Sequence, residues 1–233
     1  MKDVIIGMGE IGKAIRDCYS PGAFNLVTID KKPIKLANVD VMHICFPYSD
    51  EFEGEVLRYN KLYEPKIIII HSTVPVGTTR KIFETLLQVK TVAHSPCVGK
   101  HPNLRESIQN QFIKMFSALP DGRAVASVLK HKLHIKEIKE FRKPEATELA
   151  KLLSTTEYAW HIMIATEVNR LCEKNNVSFD EVYSFWRSSY NRGYERKYSR
   201  PILEPCSGII GGHCILPNLD LLKKNNKTWL SEV

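Results

Sequence analysis

The sequence predicts an α/β protein, a Rossmann-type doubly wound parallel sheet followed by a smaller all-helical domain with one long central helix. Three observations carry that prediction. A short apolar strand runs into a glycine-rich turn and a helix at the N-terminus. Further apolar strands alternate with helical crossovers up to about residue 141. Beyond it, the segment from Glu145 to Asn175 holds no proline or glycine and repeats its apolar residues at helical spacing. The expected division is a nucleotide-binding domain over residues 1–141 and a helical domain over 142–233.

In chain order, Val4-Ile5-Ile6 reads as a strand that ends in Gly7-Met8-Gly9-Glu10-Ile11-Gly12, and Lys13-Ala14-Ile15 then reads as helix. Gly7 permits the tight turn, Gly9 lets backbone approach a pyrophosphate, and Gly12 lets the helix pack closely on the strand, with the phosphates at the helix N-terminus. A second strand, Leu26-Val27-Thr28-Ile29, ends in Asp30, 18 residues past Gly12. A carboxylate there accepts hydrogen bonds from the adenosine ribose and repels a 2′-phosphate, which favours NAD over NADP; Lys31 and Lys32 act in the opposite sense. Val39 to Cys45 and Lys66 to Ile70 read as buried strands, with Glu51 to Tyr63 as the helical crossover between them. Strands apolar along their whole length imply a parallel sheet covered on both faces. Thr91 to His94 and Ile135 to Ile138 are candidate later strands, and Arg123 to Lys130 a helix. Pro144 opens the long helix, whose length suits packing against a second subunit, so a homodimer through it is expected. Phe179 to Ser188 reads as a shorter helix and Tyr190 to Gly212 as an ordered loop.

Composition sets the bounds. A chain of 233 residues, 43% apolar and 25% charged, can bury a core of its own. No apolar run approaches the ~20 residues that span a bilayer, and Met1 leads directly into a strand rather than a signal peptide, so a cytoplasmic protein without membrane association is expected. Six cysteines without a CxxC pair point to reduced thiols, with Cys45 and Cys172 as small core hydrophobes. The formal charge is +7, but lysines and arginines are dispersed rather than gathered into a stripe; this argues against nucleic acid and suits a small anionic molecule. His43, His71, His94 and His161 lie in or beside apolar segments and read as hydrogen-bonded structural histidines, His71 being the best placed for another role. Arg192, Tyr194, Arg196 and Arg200 would suit an anionic substrate, or form a solvated basic loop.

The order of motifs resembles the UDP-glucose/GDP-mannose (nucleotide-sugar) dehydrogenase family. The matching pieces are the Gly7-Gly9-Gly12 turn, Asp30, His71-Ser72-Thr73-Val74-Pro75-Val76-Gly77-Thr78-Thr79, Ser95-Pro96, Glu148-Leu149-Ala150-Lys151 and Gly211-Gly212-His213-Cys214. The resemblance implies an NAD-dependent oxidoreductase acting on a CH-OH group of a sugar or nucleotide-sugar-like anionic substrate. It implies Cys214 as the nucleophile that holds a thiohemiacetal and then a thioester, Lys151 as the cation facing the developing oxyanion, and Thr73 as a residue that positions water or substrate. NAD would be held by Gly7, Met8, Gly9, Glu10, Ile11, Gly12, Asp30, Lys31, Pro47 and Thr73. The family continues into a second α/β domain, and this chain stops about twenty residues after the cysteine, so it is expected to be a short member without that domain.

Four positions depart from the family pattern. Cys97 and His101 stand where glutamates are common, Thr155 where asparagine is, and Asn218 where aspartate is. These changes remove carboxylates that can serve as general bases in thioester hydrolysis; His101 could act as one, whereas Asn218 cannot. The same substitutions admit two other readings: an NAD-binding protein of this fold with altered chemistry, or a variant in which Cys97, His101, His213 and Cys214 ligate zinc. Adjacent His-Cys ligands are awkward, and no resident metal is expected.

Overall fold

A computed structural model describes residues 2–22, 25–30, 32–194, 199–206, 215–225 and 228. Lys31, Arg196 and the Gly211-Gly212-His213-Cys214 element lie outside the described residues. By its internal contacts the chain divides into two compact units, Met1–Lys151 and Leu152–Val233.

The first unit opens with β1 (Lys2–Ile6), α1 (Glu10–Cys18), β2 (Leu26–Ile29), β3 (Val39–Ile44) and α2 (Phe52–Tyr63). It continues through β4 (Ile67–Ile70), α3 (Thr78–Thr85), β5 (Thr91–His94), α4 (Leu104–Glu106), β6 (Lys114–Leu119), α5 (Arg123–Ser127) and β7 (Ile138–Glu140). Helices α4 and α5 each widen into a π-type turn, Ser107–Gln111 and Val128–Lys132. The strands form one sheet in the order β2-β1-β3-β4-β5-β6-β7. Pairing is parallel from β2 through β5, as the apolar strands predict, and β6 pairs antiparallel with β5, with His94 opposite Ser117. That reversal departs from the all-parallel expectation. A parallel neighbour needs a crossover that carries the chain back to the opposite sheet edge; the short helical stretch Leu104–Gln111 returns it to the edge where β5 ends. Strand β7 begins at Ile138, so the strand expected at Ile135 to Ile138 lies three residues later in the chain.

Alternate side chains of each strand feed two cores. On one face Val4, Ile6, Met42, Ile44, Ile68 and Ile70 pack against α2 through Phe52, Val56 and Tyr59, and against α3 through Ile82 and Phe83. On the other, Ile5, Val41 and Ile69 pack against Ala14, Ile15 and Cys18 of α1 and against Ile108, Val125 and Leu129. Each fully buried side chain of this kind contributes about 1.5–3 kcal/mol.

Helix α6 spans Pro144–Asn175, the 32 residues that the glycine- and proline-free segment predicts. Its first two turns belong to the first unit, where Glu148, fully buried, accepts the backbone N–H groups of Gly77 (2.6 Å) and Thr79 (2.8 Å). The carboxylate thereby caps the N-terminus of α3, and satisfying those otherwise orphaned donors keeps it in place. Burial pushes the Glu148 carboxyl up, against the pull of these bonds. Arg80 pairs with Glu145 one turn earlier.

In the second unit the rest of α6 is followed by a π-type turn at Asp180–Phe185, α7 (Trp186–Gly193) and α8 (Ile215–Asn225). Ala159 of α6 packs with Ile215 and Leu219 of α8. The helix expected to stop at Ser188 continues five residues further, to Gly193, taking in the first four residues of the nominal loop. Tyr190 and Tyr194, one turn apart, bring their rings within 4.6 Å at a 32° tilt, and Asn191 exchanges hydrogen bonds with the backbone of Arg200. No helix among the described residues is long and apolar enough to cross a membrane.

Candidate cofactor and active site

The strand order reverses between β1 and β3, where successive connections leave on opposite faces; the crevice beyond the carboxyl ends of these two strands is where open α/β sheets bind ligands. Gly7 through Gly12 follow β1 at this point, and Pro47 lies exposed just past β3. Gly7 has φ +91, and a Cβ there would meet Phe46 N at 2.6 Å, so a side chain would collide with the end of β3. A Cβ on Gly12 would lie 1.9 Å from the Gly7 carbonyl oxygen; the first turn of α1 therefore rests directly on the loop. Gly9 differs, for a Cβ there would meet nothing within 4 Å. That open space sits over the first turn of α1, which has no side-chain cap, so its N–H groups can receive a phosphate.

At the end of β2, Asp30 accepts the Met8 N–H at 3.1 Å with Oδ1. The bond joins the tip of β2 to the glycine turn and fixes the carboxylate beside it, where a ribose hydroxyl can be read. The residues present fit an adenine dinucleotide: a turn closed by Gly7 and Gly12, an unobstructed Gly9 before the first turn of a helix, and an acid one strand over.

The candidate catalytic residues fall in both units and are taken separately. In the first, Thr73 follows β4 and Lys151 lies two turns into α6. His94 connects their neighbourhoods: Nε2 donates to the Ser72 carbonyl (3.2 Å), and Nδ1 lies 2.8 Å from the Thr147 hydroxyl, which itself donates to the Pro144 carbonyl (2.9 Å). It is fully buried, and burial, with smaller contributions from Lys114 and Lys151, pushes it down to about 3. Cys97 is buried and receives Lys114 Nζ at 3.2 Å, while the same ammonium donates to the carbonyls of Ser95 and Pro96, both at 2.8 Å. His101 is half exposed, with Nδ1 3.7 Å from Glu10 Oε1. The pair of the zinc reading thus separates, Cys97 toward the core and His101 toward α1; among the described residues no group of three or more His, Cys, Asp or Glu side chains is placed to hold a metal ion. In the second unit, Asn218 of α8 donates to the Thr155 hydroxyl at 3.1 Å, joining two of the positions that depart from the family pattern.

The remaining core histidines form a polar file that separate readings of each residue did not foresee. Tyr19 Oη lies 3.0 Å from Asp3 Oδ2 and 2.8 Å from His43 Nε2; His43 Nδ1 is 2.9 Å from His71 Nε2, and His71 Nδ1 is 2.8 Å from the Ser95 carbonyl. Burial lowers His43 to about 3, lowers His71 well below the usual histidine range and raises Tyr19. Lys114 is the other functional-looking residue missed from sequence, because a lysine at a strand start reads as surface. A histidine alternating with apolar residues in Val41-Met42-His43-Ile44 was the available signal for the file.

The strand order and the glycine turn at the switch point define a Rossmann-type α/β fold with a turn of the dinucleotide-binding pattern. Among proteins of known sequence, the chain is 28% identical over 179 residues to UDP-N-acetyl-D-mannosamine dehydrogenase of Methanococcus maripaludis, an overlap of 72% of this chain and 38% of the relative. Among solved structures, UDP-D-ManNAc dehydrogenase from Pyrococcus horikoshii superposes with a TM-score of 0.77 at 18% identity, over 99% of this chain and 66% of the other. The 3-hydroxyisobutyrate dehydrogenase of Mycobacterium tuberculosis superposes with a TM-score of 0.69 at 13% identity, over 99% and 90%. No protein-family model matches the chain. It spans half or less of the length of the curated relatives it matches. The resemblance to nucleotide-sugar dehydrogenases read from the motifs is therefore matched by relatives and by the fold.

Proposed function

We propose that the protein is an NAD-dependent oxidoreductase acting on a CH-OH group of a sugar or nucleotide-sugar-like anionic substrate. The observation that supports this most is the dehydrogenase fold with an unobstructed Gly9 at the switch point, in a chain whose relatives oxidise a UDP-sugar. Bound NAD supplies the hydride acceptor. Gly7, Met8, Gly9, Glu10, Ile11 and Gly12 would hold its pyrophosphate, Asp30 with Lys31 its ribose, and Pro47 and Thr73 would complete the residues that hold it. The substrate carbon gives up a hydride and its hydroxyl a proton, and the Cys214 thiolate adds to the resulting carbonyl. Lys151 stabilises the oxyanion of that adduct, a thiohemiacetal once protonated. A second hydride transfer would convert it to a thioester, whose hydrolysis needs a base; His101 is the candidate, with Thr155 and Asn218 ordering polar groups rather than accepting protons.

The test is NADH formation by the full chain with UDP-N-acetyl-D-mannosamine and related sugars. Cys214→Ser and Lys151→Ala should each lower turnover by about a hundredfold or more. Full rates in both variants would remove the assigned roles.

We also infer a homodimer through α6, supported by Tyr158, Ile164 and Leu171, which are large, apolar and exposed on that helix. Sedimentation should give twice the chain mass; a monomer at micromolar concentration would overturn this.

A further inference from the structure

Thr73 lies in a loop of seven residues, His71 to Gly77, between β4 and α3. Both arms of that loop are tied to the same turn of α6. Before Thr73, Ser72 donates its hydroxyl to the Phe46 carbonyl (2.6 Å), and its own carbonyl accepts from His94 Nε2 (3.2 Å). His94 Nδ1 lies 2.8 Å from the Thr147 hydroxyl. After Thr73, the N–H groups of Gly77 (2.6 Å) and Thr79 (2.8 Å) donate one to each oxygen of Glu148. Gly77 enters α3 with φ +96, a conformation that glycine takes without strain. His94, Thr147 and Glu148 are buried, so water is kept from replacing a lost partner. Thr147 and Glu148 are consecutive, and Lys151 follows them by four and three residues, on the same face of the helix one turn further. Lys151 is also close enough to His94 to act on its charge.

We propose that Glu148 and the Thr147–His94 pair are positioning residues, a brace that sets the distance between Lys151 and Thr73. The inference rests on the roles proposed above for those two residues. A loop on a sheet can slide against a helix that crosses it, whereas catalytic geometry has to hold to about 0.5 Å. A misplacement of about 1 Å costs about a hundredfold in rate. Two ties on either side of Thr73, both made to the turn that precedes Lys151, remove that freedom. They also account for parts of the shared motifs that the chemistry leaves unused. Gly77 and Thr79 of one motif and Glu148 of another are the two halves of one contact, and Ser72 meets α6 through His94.

Glu148→Gln tests the brace. The side chain keeps its size, but one acceptor becomes a donor that faces an N–H group. In the full chain, with NAD and the sugar that the wild type oxidises, kcat should fall about tenfold or more. The Kd for NAD, set at the glycine turn, should stay unchanged. In a Lys151→Ala background the same substitution should add nothing to the loss, because the brace acts through the lysine. A residue that only supports the fold would lower kcat by the same factor in both backgrounds. An unchanged kcat in Glu148→Gln, or an equal loss in both backgrounds, would overturn the proposal. Should Glu148→Gln not fold, Thr147→Val replaces the hydroxyl of the other tie by a methyl group and is read in the same way. Crystal structures of the wild type and the variant decide the geometry without turnover. The separation of the Thr73 and Lys151 Cα atoms should change by about 0.5 Å or more, and an identical separation would overturn the brace. A wild type that forms no NADH with any sugar would remove the roles of Thr73 and Lys151 instead, with the brace still decided by that separation.

Discussion

The two faces of the central sheet solve the same burial problem with different materials. Under α2 and α3 the contacts are almost wholly apolar, Ile68 and Ile70 against Phe52, Val56 and Phe83. Under α1 the same strands present Asp3, His43 and, just past β4, His71 among Ile5, Val41 and Ile69, with Tyr19 closing over them. A dry face draws its stability from area and shape and is indifferent to protons. A face that buries imidazoles must keep them neutral, so its stability is tied to pH.

Acidification separates the two faces most strongly. His43 and His71 have folded values pushed down by burial, to about 3 for His43, against ~6.5 in the unfolded chain. The sign is that of a depressed histidine: the unfolded state takes up protons that the folded state refuses, so the histidines' contribution is fully present above about pH 6.5 and is lost as pH falls toward 3. Each group removes up to ~1.4 kcal/mol per pH unit. The two together reach the ~5–15 kcal/mol of an ordinary domain within a few pH units, so circular dichroism should show the protein unfolding near pH 4. A native spectrum at pH 3.5 would erase the distinction between the faces. Phe52→Ala on the dry face should cost about 3–5 kcal/mol, by an amount that is the same at pH 6 and pH 8 in urea melts. A pH-dependent penalty would mean that the apolar face shares the protons of the other.

Sequence made much of the first unit legible because its signals are local. Gly7 and Gly12 mark a turn that tolerates no Cβ, and apolar runs bounded by turns mark β1, β3 and β4. The 32-residue span of α6 follows from an unbroken helical period. The reversal at β6 was hidden, since direction depends on where a connection returns and not on the strand's own composition. The polar file was hidden differently: Asp3, Tyr19, His43 and His71 are far apart in sequence, and each alone reads as an ordinary core or strand-end residue. Of the candidate site, the Gly7–Gly12 turn and Asp30 were readable as a spacing. Thr155 and Asn218 could be named singly as departures, but their hydrogen bond across separate helices could not be read from either.

The carboxylate of Glu148 on the first amides of α3 bears on the order of synthesis. Gly77 and Thr79 precede it by 71 and 69 residues, so the ribosome delivers seven strands and five helices before the group that closes α3 exists. Until then water must hold those amides, and the nascent sheet carries a helix with an open end. Translation past residue 148 completes a cap for an element made long before, and a chain released earlier would lack it.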